Sequence, residues 1–308
     1  MTDRPEAAGE MRDPHEVLNA ELSEQYALED ELGRGGMASV FLAHDRKHDR
    51  RVAIKVIHPE LLQGTGPRRF EQEIRITAGL RHPHILPLLD SGVAGELLYY
   101  VTPYVEGETL QDRLRRDGRL PIDEAVLIAA DVAAALEHAH RQEIVHRDIK
   151  PANILLSEGH AIVADFGLAR AFQSAGDATL TAEGTVMGTV AYISPEQATG
   201  VRDVDGRTDV YSLGCVLYEM IAGRPPFVAK PPEKLLKLHM FKQPAPLASL
   251  RDGVPPALDR ATMQALEKSP ANRQPSASAF LSALQAYDRE PTGPLAWLRR
   301  LFAPPASR

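Results

Sequence analysis

The sequence predicts an α+β chain in which a strand-rich N-terminal third precedes a helix-rich remainder. Three observations carry this. Between Tyr26 and Thr102, short apolar runs bounded by Gly, Asp or His clusters recur at strand length. After Thr102, apolar residues return every three to four positions over segments of helical length. Of the 24 prolines, 14 follow residue 224, and the pairs Pro225/Pro226, Pro231/Pro232 and Pro255/Pro256 fall where one helix should stop before the next.

The elements follow in order. Residues 1–25 are charged and Ala-rich without periodicity, which reads as a mobile arm, with order beginning near Tyr26. Strands are expected at 26–33, 39–45, 51–57, 85–90 and 97–102, which makes a five-stranded sheet. One main helix interrupts them: Pro67 suits a first helical turn, and Phe70, Ile74, Thr77 and Ala78 share a face. Helices are then expected at roughly 123–141, 207–222, 232–242, 255–267 and 275–287. Residues 288–308 form a separate tail.

Composition narrows the function. The 308 residues allow one large or two modest domains. With 35 Lys+Arg against 42 Asp+Glu, the net charge of −7 argues against a broad nucleic-acid-binding surface. One cysteine, Cys215, cannot form an internal disulfide, and it lies in an apolar helix as a packed small hydrophobe. No signal-peptide core and no stretch near ~18 uncharged apolar residues is seen, so a soluble, cytoplasmic chain is expected. The tail places Arg299 and Arg300 among Trp297, Leu298, Leu301 and Phe302. Packing on the main domain or simple disorder is expected for it, with contact to a membrane surface as the lesser alternative.

Three motifs carry chemistry. Leu32-Gly33-Arg34-Gly35-Gly36-Met37-Ala38-Ser39-Val40 is a G-x-G-x-x-G-x-V pattern with Ala38 at the third glycine. Such glycines occur in dinucleotide folds, in ordinary hairpins and in loops folded over phosphates. Here the chain continues as a strand through Val40, which disfavours the dinucleotide reading. Val52-Ala53-Ile54-Lys55 then sets a lysine among apolar residues, where it needs an anionic partner, and Glu73 on the following helix can supply a carboxylate. The strongest signal is His146-Arg147-Asp148-Ile149-Lys150-Pro151-Ala152-Asn153, followed by Asp165-Phe166-Gly167.

On these residues, from about Tyr26 to Tyr287, the chain resembles a bacterial eukaryotic-like serine/threonine protein kinase catalytic domain. The resemblance implies a two-lobed protein kinase fold: a five-stranded antiparallel N-lobe sheet with one main helix (about 26–102), and a mainly helical C-lobe (about 106–287). It implies that Asp148 orients the acceptor hydroxyl, that Lys150 neutralises the transferring phosphoryl group, and that Lys55 and Glu73 orient ATP. Asn153 and Asp165 would hold Mg2+, with Mn2+ as an alternative. ATP would contact residues 32–40, Ala53, Lys55, Thr102 as gatekeeper, Pro103 through its carbonyl, Val105 through its N–H, and Leu155.

Further positions agree with the resemblance. Thr189, Ser194-Pro195-Glu196 and Arg273 match the end of the activation segment and the arginine that pairs with its glutamate. Asp209 matches the residue that steadies the catalytic loop, and His146 is expected to pack under Phe166. Lys150 and Thr189 favour Ser/Thr over Tyr acceptors. Arg147 implies control by a phosphorylated loop, with Thr181, then Thr185 and Thr179, as autophosphorylation sites. Protein substrates are implied, and an N-lobe homodimer is compatible with the resemblance. The competing readings are a pseudokinase scaffold and a small-molecule phosphotransferase.

Overall fold

In the computed structural model, residues 13–36, 38–58, 74, 77–166, 190–201 and 203–287 are described. The chain forms two compact units, one within Met1–Glu71 and Leu88–Tyr104, the other within Gln72–Pro87 and Val105–Arg308.

The first unit is an antiparallel sheet of β1 (Tyr26–Arg34), β2 (Ala38–Asp45), β3 (Arg50–Ile57), β4 (Asp90–Ala94) and β5 (Leu97–Pro103), in the order β1-β2-β3-β5-β4. Side chains alternate across a strand, so each strand serves two faces. Phe41, Ala43, Val52, Ile54, Val56, Tyr99 and Val101 build the core on one face. Strand register puts Val40 opposite Lys55, Lys55 opposite Tyr100, and Ala53 opposite Thr102. By that alternation, the expected nucleotide residues Val40, Ala53, Lys55 and Thr102 share the other face.

Helix α1 (Pro14–Leu22) corrects the expectation that order begins near Tyr26. Asp13 caps it by accepting the His15 N–H, Pro14 opens it, and Leu18 is fully buried with Tyr26 and Phe41 in the sheet core. The charged residues around Leu18 hid it as an anchor, which Val17 and Leu22 support by packing on the same core. A second correction concerns 85–90: the fourth strand starts at Asp90, where the Ser91-Gly92 pair gave no β signal. Of the expected strand, residues 85–87 belong to the second unit, and Leu88 and Leu89 to the first. Ile85 bridges Val163, the Leu86 N–H donates to the Val163 carbonyl, and Leu80 and Ile85 join the second unit's core.

The second unit contains α2 (Leu110–Asp117), α3 (Ile122–His140), α4 (Pro195–Ala198), α5 (Arg207–Ala222), α6 (Pro232–Phe241), α7 (Pro256–Ala265) and α8 (Ala277–Tyr287). A small sheet of β6 (Glu108–Thr109), β7 (Ile154–Ser157) and β8 (His160–Val163) precedes α4 along the chain. Buried Ala125, Ile128, Ala129, Val132, Leu136 and Ala139 form one stripe of α3, whose small side chains let α5 and α8 pack closely. Helix α5 is buried almost all round, and Gly214 admits α7: a Cβ there would lie 2.9 Å from that of Ala265. Pro232 and Pro256 stand in the first turns of α6 and α7, where no intrahelical N–H is required. No helix among the described residues is long and apolar enough to cross a membrane.

Candidate active site

The loop between α3 and β7 is held in place before any ligand is considered. Asp209, wholly buried on α5, accepts the His146 N–H (2.8 Å) on Oδ2 and the Arg147 N–H (2.8 Å) on Oδ1, while His140 Nε2 donates to Oδ2 at 2.8 Å. Burial alone would raise this carboxyl; the His140 ring and the backbone N–H groups overcome it and hold Asp209 below the ordinary range. Gly206 makes the approach of His140 feasible, since a Cβ there would meet the ring at 2.5 Å.

Pinned in this way, Arg147 sits at φ 68°, a region that non-glycine residues seldom occupy. Its carbonyl accepts from Gln197 Nε2 at 2.8 Å. Asp165 is also left-handed, at φ 64°. Two such residues in one site mark backbone strain that the surrounding bonds must sustain.

His146 is buried and directional. The Asp148 N–H donates to its Nδ1 (3.2 Å), so Nε2 carries the proton and donates to the Ala164 carbonyl at 2.9 Å. Its ring meets Phe166 edge-on, with centroids 4.6 Å apart. The Asp148 carboxylate receives Lys150 Nζ at 2.7 Å and Asn153 Nδ2 at 3.1 Å, both on Oδ2. Asn153 Nδ2 also donates to the Asp148 carbonyl at 2.8 Å. With its N–H groups committed to Asp148, the Asn153 amide has Oδ1 left as a hard oxygen ligand. The Asn153 carbonyl in turn accepts the Ala164 N–H at 2.9 Å, next to Asp165. This set of oxygens suits a divalent cation such as Mg2+.

Downstream, Ser194 caps α4 through a reciprocal box with Gln197 and is fully buried. Ser194 thus acts as a helix cap, and it positions the same glutamine that holds Arg147. Glu196 pairs with Arg273 through both oxygens (2.7 and 2.8 Å), and Thr208 Oγ1 adds a third bond at 2.7 Å. All five guanidinium N–H groups of Arg273 find acceptors, the other three being the Glu267, Arg207 and Lys268 carbonyls. Burial opposes ionisation of Glu196, but Arg273 and Thr208 hold its carboxyl below the ordinary range. Removing one member of so enclosed a pair costs about 3–5 kcal/mol.

In the first unit, the β1–β2 turn is closed by the Gly35 N–H donating to the Ala38 carbonyl at 2.9 Å, and Arg34 is forked onto Glu31. Leu32 is largely exposed, and Ser39 is buried with its hydroxyl 3.2 Å from His58 Nε2. The Lys55 ammonium lies 5.9 Å from the Tyr100 ring centroid. Pro103 ends β5, and Val105 begins the longer segment of the second unit, where Leu155 lies half-buried on β7. Met37, Glu73, Gly167, Thr179, Thr181, Thr185 and Thr189 lie outside the described residues, as do the tail 288–308 and Pro67.

Sequence reasoning missed Gln197 and His140 as partners of the loop. The Ser194-x-x-Gln197 spacing is a capping-box signal that could have exposed the first. His140 carries no local signal, because its partner Asp209 is 69 residues away.

Comparison with known proteins follows the same lines. The family model "Protein kinase domain" matches residues 26–290. Over 269 residues the chain is 43% identical to serine/threonine-protein kinase PknB of Mycobacterium leprae, covering 85% of this chain and 43% of that protein. It is 40% identical over 277 residues to the protein of the same name in Mycobacterium tuberculosis, covering 88% and 44%. A probable serine/threonine-protein kinase of Clostridium perfringens, CPE1738, is 39% identical over 272 residues, covering 88% and 39%. The chain therefore spans less than half the length of these relatives. It belongs to the protein kinase domain family.

Proposed function

We propose that this chain is an active serine/threonine protein kinase that transfers the γ-phosphoryl group of ATP to hydroxyls of protein substrates. The observation that carries this reading is the Asp148 carboxylate, held on Oδ2 by Lys150 and Asn153 in a loop pinned by buried Asp209. Oδ1 is the oxygen this reading assigns to the acceptor hydroxyl, which Asp148 orients and whose proton it accepts. Lys150, within 2.7 Å of Asp148, brings fixed positive charge to where the moving phosphoryl group spreads its own negative charge. Lys55, on the sheet face it shares with Val40, Ala53 and Thr102, aligns the ATP phosphates, and the apolar members of that face flank the adenine.

Asn153 and Asp165 would hold the metal, Mg2+ in preference to Mn2+, and when bound it supplies charge neutralisation at the phosphates. A pseudokinase scaffold would have no need of Lys55, Asp148, Asn153 and Asp165 together, and all four are present. The Ser/Thr-kinase names of the relatives point the same way.

Incubation of the full chain with Mg2+, γ-labelled ATP and a generic protein substrate, followed by phosphoamino-acid analysis, tests the proposal. Label on serine or threonine is expected. Label confined to tyrosine, or none on protein, would overturn it.

A further inference from the structure

Three side chains from separate segments meet in the second unit, with no role in the chemistry above. His84 stands ahead of Ile85, Asp131 on α3 and His160 at the start of β8. One ligand atom from each lies within 4.8 Å of the others. His84 Nε2 is 3.4 Å from Asp131 Oδ1, and His160 Nδ1 is 3.3 Å from Asp131 Oδ2. At a metal–nitrogen distance of 2.0–2.1 Å, two ligands of a tetrahedral ion stand about 3.3–3.4 Å apart, which the His84 Nε2–Asp131 Oδ1 separation matches. His160 Nδ1 approaches the same carboxylate from its other oxygen.

The arrangement around these atoms resembles that of a metal ligand set. His84 Nδ1 donates to the Ala161 carbonyl at 2.9 Å; a carbonyl only accepts, so this nitrogen carries the proton. In the neutral ring the Nε2 lone pair then faces the Asp131 carboxylate. Two acceptors at 3.4 Å repel unless a proton or a cation lies between them. A second partner orients the carboxylate, as Asp131 Oδ2 accepts the Ala161 N–H at 3.0 Å. His82 fixes the backbone of His84 by accepting its N–H on Nδ1 at 3.2 Å, and the two rings stand 5.5 Å apart. Hydrogen bonds from a ligand's far nitrogen and second oxygen are what set tautomer and aim at metal centres.

We infer that His84, Asp131 and His160 form a binding site for a borderline transition-metal ion, Zn2+ first, with water completing the coordination. Two imidazoles and one carboxylate suit Zn2+ and disfavour Mg2+, which separates this site from the oxygen ligands Asn153 and Asp165. The ion would tie the segment before β4 to α3 and to the start of β8.

The test is titration of the chelator-dialysed full chain with zinc chloride under saturating Mg2+, followed by calorimetry and by thermal unfolding. One equivalent is expected to bind and raise Tm by about 5 °C. His160 is 69% exposed, so His160→Ala should keep the metal-free Tm while weakening Zn2+ binding by at least about 10–100-fold. Asp131→Asn, which retains an acceptor for Ala161, is expected to weaken binding by a similar factor. No saturable Zn2+ binding by the wild type, or unchanged affinity in His160→Ala, would overturn the inference.

Discussion

The buried Asp209 carboxylate lies 2.8 Å from the Arg147 backbone N–H, and Arg147 is held at φ 68° beside the catalytic aspartate candidate. One side chain on α5 thereby stabilises a conformation that Arg147 would not keep alone. Asp209→Ala would leave two buried N–H groups and the His140 ring without their acceptor. The expected result is a stability loss of about 3–5 kcal/mol by urea unfolding, together with loss of phosphotransfer. A stable, fully active variant would contradict the pinning.

Loop phosphorylation should follow from the placement of Arg147. Mass spectrometry after incubation with Mg2+ and ATP is expected to find phosphate within residues 170–190, on Thr181 first, then on Thr185 and Thr179. No phosphate in that window would remove the autophosphorylation proposal.

Helix α1 is an integral part of the first unit. Leu18→Ala should destabilise that unit by about 2–5 kcal/mol, the range for a fully buried leucine, as read by chemical denaturation. Deletion of residues 1–25 should do at least as much. If the deletion leaves the unfolding midpoint unchanged, the segment is the mobile arm that its composition suggested.

Acid should weaken the fold in two stages. His239 is pushed down from 6.5 to about 3, first by burial and then by the Lys268 ammonium. Between those values the unfolded chain binds a proton that the folded chain does not, so stability falls as pH drops from 6.5 toward 3. Glu196 and Asp209 are held below their ordinary values of 4.5 and 3.8. Their contribution is complete above those values and is lost as pH falls through the lower folded ones. The urea midpoint should decline from pH 6.5 downward, and His239→Gln should flatten the slope above pH 5 while sparing the later fall. An unchanged slope in that variant would assign the first stage to other groups.

What the sequence revealed depended on how far each signal reached. Alternation in Val52, Ile54 and Val56 exposed β3, and the alanine stripe of α3 exposed that helix to within a residue of its observed ends. Helix α2 escaped because Leu110 and Leu114 are its only buried residues among charges, although Thr109 caps it through the Asp112 N–H. The β6–β7–β8 sheet escaped because its strands run two to four residues, too short for a period to register. In the site, the motif residues were legible because their chemistry demands fixed types at fixed spacing. Asp131 with His84 and His160, and His140 with Asp209, were not legible: each group is assembled by tertiary packing from distant segments that carry no mutual pattern.

The measurement closest to the central claim is turnover of Asp148→Asn against the wild type, with nucleotide binding and thermal stability measured on both proteins. If the Asp148 carboxylate directs the acceptor hydroxyl, kcat should fall by about 10²–10⁴-fold while ATP affinity and Tm stay close to wild type. Equal turnover in the two proteins would contradict the assignment of Asp148.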